Sequence, residues 1–361
     1  MAIAHLAFLT PGNYAEASPL QGLEDTLRLF EQGEAMGYQS AWVRQRHLER
    51  GVSSAATLLA AATQRTRRIG LGTAVIQMGY ENPFRLAEDL ATVDVLARGR
   101  LQVGLSAGAP PYGALLGARL FDGDPGGIDF SHARVERLRR NLRGDLIGDD
   151  DTYVDSPAGR QRPRVQPHAP GLAQRLWYGG GSLRSAQWAG EQGYHLLIGN
   201  LNRGEATDNF FEAQRSQLDL FHAHWSASHA PRVALGRVLV PLDSADAPTR
   251  ARYRAWAATR WERTLAPQGE RRTLFARDLV GTSDEILESL RRDPIVPRVQ
   301  ELRLELPYDF TGEDYAQILS DTARFIAPAL GWSPAQVPAA PDHGVPRAAA
   351  TSRPSSITAI A

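Results

Sequence analysis

A turn of three glycines followed by hydroxyl side chains is the stretch of this sequence best suited to binding an anion. Residues 175–178 predict a short strand, the glycines at 179–181 follow it, and Ser182 and Ser185 open the helix that comes next. Free N–H groups at a helix start, bare glycine backbone and two hydroxyls suit a phosphate group. An ordinary glycine-rich loop with serine caps has the same composition, so this stretch alone leaves both interpretations open.

A second group of candidate residues follows the predicted strand at 40–43. Arg44, Arg46 and His47 come directly after that strand. A histidine whose pKa lies near neutrality can act as a proton donor or as a base, and the two arginines would orient a substrate. A surface histidine in a loop is the alternative interpretation.

Composition excludes several other kinds of chemistry. The 361 residues include no Cys, and the 40 basic residues are all Arg, so thiolate nucleophiles and lysine-dependent sites are absent. The sequence contains no GxSxG elbow, no carboxylate pair placed for glycoside hydrolysis and no cluster at metal-ligand spacing, so we predict no metal site. A site with few acid–base groups and many small ones indicates an organic cofactor that brings its own reactivity.

The balance of charge and the N-terminal run limit the partners and the location. The 40 acidic residues cancel the 40 basic ones, which gives no reason to expect nucleic acid or an anionic membrane as a partner. Residues 1–9 lack a positive leader and are too short an apolar run for a signal peptide or a membrane span. We therefore expect a cytoplasmic protein that acts on a small molecule.

These residues are positioned by strands that alternate with helices. Residues 67–108 contain one complete strand–helix–strand unit, in which Asn82 and Pro83 open the helix. Eight predicted strands lie at 3–9, 40–43, 69–76, 101–105, 175–178, 194–198, 232–240 and 299–306. This alternation predicts an α/β fold, a (β/α)8 TIM barrel with insertions after strands 4 and 7. An open doubly wound sheet is the competitor, but no GxGxxG follows the first strand.

The barrel prediction also defines the site and the domain boundary. Active sites of such barrels lie at the C-terminal ends of the strands, where the glycine turn, Arg44 and Ser106 all fall, and we count Ser106 among the candidate cofactor contacts. We assign residues 1–330 to the barrel. Residues 331–361 are rich in Ala, Pro and Ser and are predicted to form a tail outside the core.

Three ordered blocks of the sequence resemble the luciferase-like monooxygenase family, which consists of flavin-dependent (β/α)8 barrels. The first block joins 54–76 (SAATLLAAATQRTRRIGLGTAVI) to 81–101 (ENPFRLAEDLATVDVLARGRL), the second is 176–194 (LWYGGGSLRSAQWAGEQGY) and the third is 279–290 (LVGTSDEILESL). The resemblance covers most of residues 1–330. It implies that reduced FMN, or less often a deazaflavin, binds at the barrel mouth, that a flavin reductase supplies it, and that the chain forms a homodimer.

The resemblance also assigns roles to particular residues. It implies that Ser182 and Ser185 bind the flavin phosphate, with Arg134 as a weaker candidate, and that Ala74–Val75 is a non-prolyl cis peptide under the flavin ring. The family motif W-V-x-E-H-H corresponds to residues 42–47, which read WVRQRH, so the family's Glu is Gln45 and its first His is Arg46. The predicted catalytic residues are His47, Arg46 and Arg44, and the predicted cofactor contacts are Ala74, Val75, Ser106, Arg134, Gly180, Gly181, Ser182 and Ser185.

Three functions are compatible with these observations. The first is a flavin-dependent monooxygenase that uses reduced FMN and molecular oxygen on a small organic substrate. The second is a deazaflavin-dependent oxidoreductase that transfers a hydride on the same barrel. The third is a flavin-binding protein without turnover, a possibility that the replacement of Glu by Gln45 keeps open.

Overall fold

The computed structural model describes residues 2–334, and its centre is a closed barrel of eight parallel strands. The barrel strands are β1 His5–Thr10, β2 Ser40–Val43, β3 Gly70–Gln77, β4 Leu101–Ser106, β5 Leu176–Gly179, β6 His195–Ile198, β7 Val233–Arg237 and β8 Glu301–Glu305. Each strand pairs in parallel with its neighbours in the chain, and β1 closes the barrel by pairing with both β2 and β8. The predicted TIM barrel is confirmed, and every predicted strand contributes to it.

Helices connect the strands and pack around the outside of the barrel. They are α1 Pro19–Ala35, α2 Ala55–Arg65, α3 Pro83–Leu96, α4 His132–Arg143, α5 Leu183–Gln192, α6 Phe210–Ala223, α7 Ala247–Thr259, α8 Ser283–Arg292 and α9 Gly312–Asp321, the last continued by a π-turn at Thr322–Ile326. Their starts follow from the sequence. The Asn82 side chain accepts hydrogen bonds from the first N–H groups of α3, and Thr282 and Glu285 form a capping box on α8.

Two indole rings fill the middle of the barrel. The rings of Trp42 and Trp177 are fully buried and meet edge to face, with their centroids 5.5 Å apart. Small residues on the neighbouring strands make this packing possible. A Cβ atom on Gly72 would lie 2.2 Å from the Trp42 ring, so glycine is required at that position of β3.

The connections after β4 and β7 are long, as the sequence predicts. Residues 107–175 contain α4 and a hairpin formed by Val154–Ser156 and Gly159–Gln161. The strand predicted at 232–240 is correct only as far as Arg237, because the chain leaves the barrel after β7 and Leu239–Pro241 pairs instead with Leu279–Gly281. A further pair, Leu201–Arg203 with Thr273–Phe275, joins the segment after β6 to the insertion that carries α7.

The end of the described chain packs against the barrel. The Trp332 side chain is buried, and its indole N–H donates to Gln39 Oε1 at 2.9 Å, so the core extends two residues past the predicted boundary at 330. Residues 335–361 of the predicted tail lie outside the described residues. None of the helices between residues 2 and 334 combines the length and the apolar character needed to cross a bilayer.

Candidate active site

A cavity of about 250 Å³ opens at the C-terminal ends of the barrel strands; we call it the mouth cavity. It is lined by Leu9, Arg44, Ala74, Val75, Gly179, Gly180, Gly181, Leu197, Gly199, Asn200, Leu201, Arg303 and Glu305. Five of the predicted site residues meet in this wall: Arg44, Ala74, Val75, Gly180 and Gly181. The volume is close to the lower end of the ~300–1,000 Å³ typical of ligand pockets, which fits one ring system better than a whole nucleotide.

Two arginines and one glutamate form the charged part of the mouth cavity. Arg44 Nη2 lies 3.3 Å from one carboxylate oxygen of Glu305, and Arg303 Nη2 lies 3.6 Å from the other. The carboxylate fits here because Gly236 has no side chain, and a Cβ there would lie 2.1 Å from Glu305 Oε1. One carboxylate therefore faces two guanidinium groups, and the cluster keeps a net positive charge. Burial lowers the pKa of Arg303, although a guanidinium stays protonated in proteins.

Several polar atoms of this cluster have no partner. Among the described residues, nothing accepts a hydrogen bond from Arg303 Nε, Arg303 Nη1 or Arg44 Nε, and nothing donates to Asn200 Oδ1. The Arg303 side chain is only 4% exposed, so bulk water reaches it poorly. A buried polar group without a partner costs roughly 1–3 kcal/mol, which a bound ligand of matching polarity would relieve.

Arg303 and Glu305 are not among the predicted site residues, although the sequence carries a signal for them. The last strand reads ELRLE, with charged residues alternating with leucines. Side chains of a strand alternate between its two faces, so the leucines pack toward the helices and the charged residues enter the barrel. Period-two charges in a strand that is buried on both faces therefore indicate a polar barrel interior.

The predicted anion turn has the expected strand–turn–helix geometry. The Ser182 hydroxyl caps α5, because its oxygen accepts from the Ser185 N–H at 3.1 Å while its own hydrogen is donated to Ser185 Oγ at 2.8 Å. A Cβ on Gly180 would lie 2.7 Å from a methyl group of Leu196, so the turn requires glycine at this position. The N–H of Leu183 is already used, since it donates to Glu205 Oε2 at 2.6 Å.

The third strand carries the backbone feature that the resemblance implies. The peptide bond between Ala74 and Val75 is cis. The pairing of β3 with β4 shifts register between Thr73 and Ile76, so these two residues bulge out of the regular ladder. Val75 packs across the mouth against Gly179, where an added Cβ would lie 3.3 Å from Val75 Cγ1.

The structure places His47 in a neighbouring cavity rather than in the mouth cavity. This second cavity, of about 480 Å³, we call the side cavity. It is lined by Gln45, His47, Leu48, Ser53, Ser54, Ala56, Tyr80, Glu81, Leu86, Asp89, Leu116, Arg119 and Leu120. The His47 ring stacks on Tyr80 with centroids 3.9 Å apart, and burial lowers its pKa. Burial likewise raises the pKa of the Glu81 carboxyl.

Five other predicted residues lie in the wall of neither cavity, and two of them, Ser182 and Ser185, belong to the anion turn described above. Arg134 does not reach toward the anion turn, because its Nε and Nη2 donate to the carbonyl oxygens of Met78 and Glu81 in the segment after β3. Ser106 ends β4 in register with Gln77. The Arg46 N–H donates to the carbonyl oxygen of Val52 at 2.9 Å, which fixes the turn between β2 and α2.

The described residues were also compared with the side-chain groupings that bind metal ions. Within residues 2–334, no group of three or more His, Cys, Asp or Glu side chains is placed to hold a metal ion. The charged groups at the mouth are mainly hydrogen-bond donors, which suit an organic ligand with carbonyl or anionic oxygens.

Comparison with known proteins connects this barrel to a group of oxidoreductases. A family model described as luciferase-like monooxygenase matches residues 1–293. A 107-residue stretch is 36% identical to 4-hydroxyprotoasukamycin monooxygenase of Streptomyces nodosus subsp. asukaensis, covering 29% of each chain. Limonene 1,2-monooxygenase of Rhodococcus erythropolis is 35% identical over 105 residues, covering 28% of this chain and 27% of that protein. The chain thus spans less than a third of these two relatives in the matched stretches.

Solved structures share the fold over nearly the whole described chain. Monooxygenase RslO1 from Streptomyces bottropensis gives a TM-score of 0.65 at 22% identity, covering 90% of this chain and 99% of that one. The oxygenating constituent of 3,6-diketocamphane monooxygenase from Pseudomonas putida, a type II Baeyer–Villiger monooxygenase in complex with FMN, gives 0.65 at 14% identity over 91% and 99%. An F420-dependent secondary alcohol dehydrogenase gives 0.58 at 15% identity, with the same coverage.

Proposed function

The chain belongs to the luciferase-like monooxygenase family, and on this premise we propose that it is a flavin-dependent monooxygenase that uses reduced FMN and molecular oxygen. The substrate is a small organic molecule, and a separate flavin reductase supplies the reduced cofactor. A homodimer is proposed from the family alone. A bound reduced flavin supplies the activation of oxygen, and the chain supplies binding, orientation and shielding from water.

The unpartnered polar atoms of the mouth cavity carry this proposal. The dione edge of a flavin ring presents carbonyl oxygens on either side of an N–H group. The mouth offers the complementary set, with free donors on Arg44 and Arg303 and a free acceptor on Asn200. Positive charge beside this edge also favours the anionic reduced ring. The residues present therefore fit a flavin ring.

The remaining parts of the site fit the rest of the cofactor. The backbone of Gly180 and Gly181, which carries no side chains, lies in the cavity wall, and α5 begins directly after it, capped by Ser182. We propose that this helix start and the hydroxyl of Ser185 hold the phosphate. Leu9 and Leu197 line the mouth with apolar surface, which excludes water from a reactive intermediate.

Titration with flavins tests the proposal. We expect purified protein to bind FMN and riboflavin, measured by quenching of flavin fluorescence, and an Arg303→Met variant to bind both about tenfold more weakly. Arg324→Met is the matched control, because Arg324 is exposed on the segment Thr322–Ile326 that continues α9, and its replacement should leave both affinities unchanged. Parallel titration with coenzyme F420 distinguishes the deazaflavin alternative.

The outcomes separate the three functions. Tight binding of FMN with oxygen consumption in the presence of a reductase and substrate panel supports the monooxygenase. Preference for F420 over FMN supports hydride transfer instead. Flavin binding without turnover on any substrate supports a flavin-binding protein. Equal flavin affinity of the wild type and Arg303→Met would show that the mouth cavity is not the cofactor site.

A further inference from the structure

Gln45 is buried beside His47 and its amide has only one possible orientation. Its side chain is 4% exposed, and Oε1 accepts a hydrogen bond at 3.0 Å from the N–H of Ala55, the first residue of α2. A backbone N–H can only donate, so the group facing it must be the amide oxygen. The amide nitrogen of Gln45 therefore faces the opposite way, toward the side cavity.

The amide nitrogen contacts two acceptors. Gln45 Nε2 donates to Glu81 Oε1 at 2.8 Å and lies 3.3 Å from His47 Nε2. An amide nitrogen carries two hydrogens and has no lone pair to offer, so it donates in both contacts. His47 Nε2 must then be the unprotonated nitrogen of the ring, and the ring hydrogen resides on Nδ1.

The opposite edge of the imidazole remains available. His47 Nδ1 has no hydrogen-bond partner among residues 2–334, and the half-buried ring forms part of the side-cavity wall. Stacking on Tyr80 holds the plane of the ring. The ring is thus a fixed donor that presents one N–H to a bound molecule. A protonated ring would direct a second N–H at the Gln45 amide, and this conflict opposes protonation.

The charges around the side cavity decide which molecules fit. Glu81 and Asp89 both line it, and the exposed Arg119 is the one arginine that residues 2–334 contribute to its wall. A carboxylate or phosphate would face two negative groups. The same two carboxylates would attract an ammonium ion, but an ammonium ion has no acceptor to offer and would leave the His47 N–H unmatched. Leu48, Leu86, Leu116 and Leu120 contribute apolar surface, and about 480 Å³ suits a small molecule.

We propose that Gln45, held by Ala55 and Glu81, locks His47 as an Nδ1–H donor, and that the side cavity consequently binds an uncharged organic substrate through an acceptor oxygen such as a ketone carbonyl. Gln45 and Glu81 are positioning residues that act through the histidine. The substrate class rests on the proposed function. The position of the proton on the His47 ring does not, because the contacts of Gln45 alone determine it.

Nitrogen NMR of the protein without flavin tests the lock. In protein labelled with ring-¹⁵N histidine, with the His47 signals assigned by their loss in His47→Phe, we expect Nε2 to show the shift of an unprotonated ring nitrogen and Nδ1 that of a protonated one at pH 7. Gln45→Glu replaces the donor by an acceptor and should reverse the pattern. Glu81→Gln retains an acceptor for the Gln45 amide. It is the matched control, in which the wild-type pattern of ring-nitrogen shifts should persist. A protonated Nε2 in the wild type would overturn the lock.

A series of probes of one shape tests the substrate class. Cyclohexanone, methylenecyclohexane, cyclohexanecarboxylate and cyclohexylammonium differ mainly in the group offered to the histidine. We expect cyclohexanone to bind at least threefold more tightly than the other three and to shift the His47 ring signals, with this preference lost in His47→Phe. Tighter binding of either ion, or a ketone preference that survives in His47→Phe, would overturn the assignment. Because these titrations contain no flavin, they can fail while the proposed function stands.

Discussion

The carboxylate of Glu205 accepts a hydrogen bond from the N–H of Leu183 at 2.6 Å, which places a negative charge of the chain itself at the start of α5. The N-terminus of a helix attracts anions because its N–H groups are free and its dipole is positive there. Glu205 is exposed and follows the short strand Leu201–Arg203. In the proposed function a cofactor phosphate binds at this helix start, so phosphate and carboxylate compete.

The first prediction follows from this competition. Glu205→Gln removes the charge and should tighten FMN binding about threefold, because a charge at a helix terminus is worth roughly 0.3–1 kcal/mol. Riboflavin, which has no phosphate, should bind as it does to the wild type. Glu191→Gln is the control, since Glu191 lies near the other end of α5. Fluorescence titration measures all affinities, and an equal gain for riboflavin would contradict the competition.

The second prediction separates the two serines of the anion turn. Ser182 caps α5, so Ser182→Ala should lower the free energy of unfolding by about 1 kcal/mol. The Ser185 hydroxyl does not cap the helix, and Ser185→Ala should leave stability nearly unchanged while weakening FMN about tenfold, as expected for a hydrogen bond to a charged group. Urea denaturation and FMN titration provide the two readouts. An unchanged FMN affinity in Ser185→Ala would mean that this hydroxyl does not contact the phosphate.

Much of the fold was predictable because local patterns and the barrel agree. Ser40–Val43 is a strand at the predicted residues, and Asn82 caps its helix at the predicted place. Buried apolar strands and helix starts depend on neighbouring residues, which a sequence displays directly. The break after Arg237 depended on a partner strand more than forty residues away at 279–281, and no local signal reveals such pairing.

The site was only partly predictable, since its members come from distant strands. The glycine turn is contiguous and its strand–turn–helix geometry could be predicted, whereas Arg44 meets Arg303 and Glu305, which share the last strand, only once the barrel closes. In the sequence, the replacement of the family's Glu by Gln45 indicates the loss of a carboxylate beside His47. In the structure the Gln45 amide lies between His47 and Glu81. A carboxylate is therefore still connected to His47, through the amide rather than by direct contact.

A third prediction concerns the interior of the barrel. Gly72→Ala should destabilise the protein by about 1–3 kcal/mol, because the new Cβ would lie 2.2 Å from the buried Trp42 ring and well-packed cores resist added atoms. Gly181→Ala is the matched control, since an added Cβ there meets open space and the backbone does not need positive φ. Chemical denaturation compares the two variants. Equal stabilities would show that the indole ring shifts to accommodate the added methyl group.

The last prediction concerns acid stability and His195 on β6. This side chain is 5% exposed, and burial, reinforced by the positive charges of Arg232 and His229, lowers its pKa to about 3. Its Nδ1 accepts from the Arg232 N–H at 3.2 Å, which requires that nitrogen to be unprotonated. The unfolded chain takes up a proton near pH 6.5 whereas the folded chain does not, so the stability contributed by the neutral ring is present above pH 6.5 and is lost as the pH falls toward 3. Between pH 7.5 and 5 this loss amounts to about 2 kcal/mol.

His195→Gln keeps an acceptor for Arg232 and cannot titrate, so its free energy of unfolding should fall by about 2 kcal/mol less than that of the wild type over the same range. Urea denaturation at each pH measures the difference, in which the contributions of all other titrating groups cancel, and parallel curves for the two proteins would show that His195 is not held neutral.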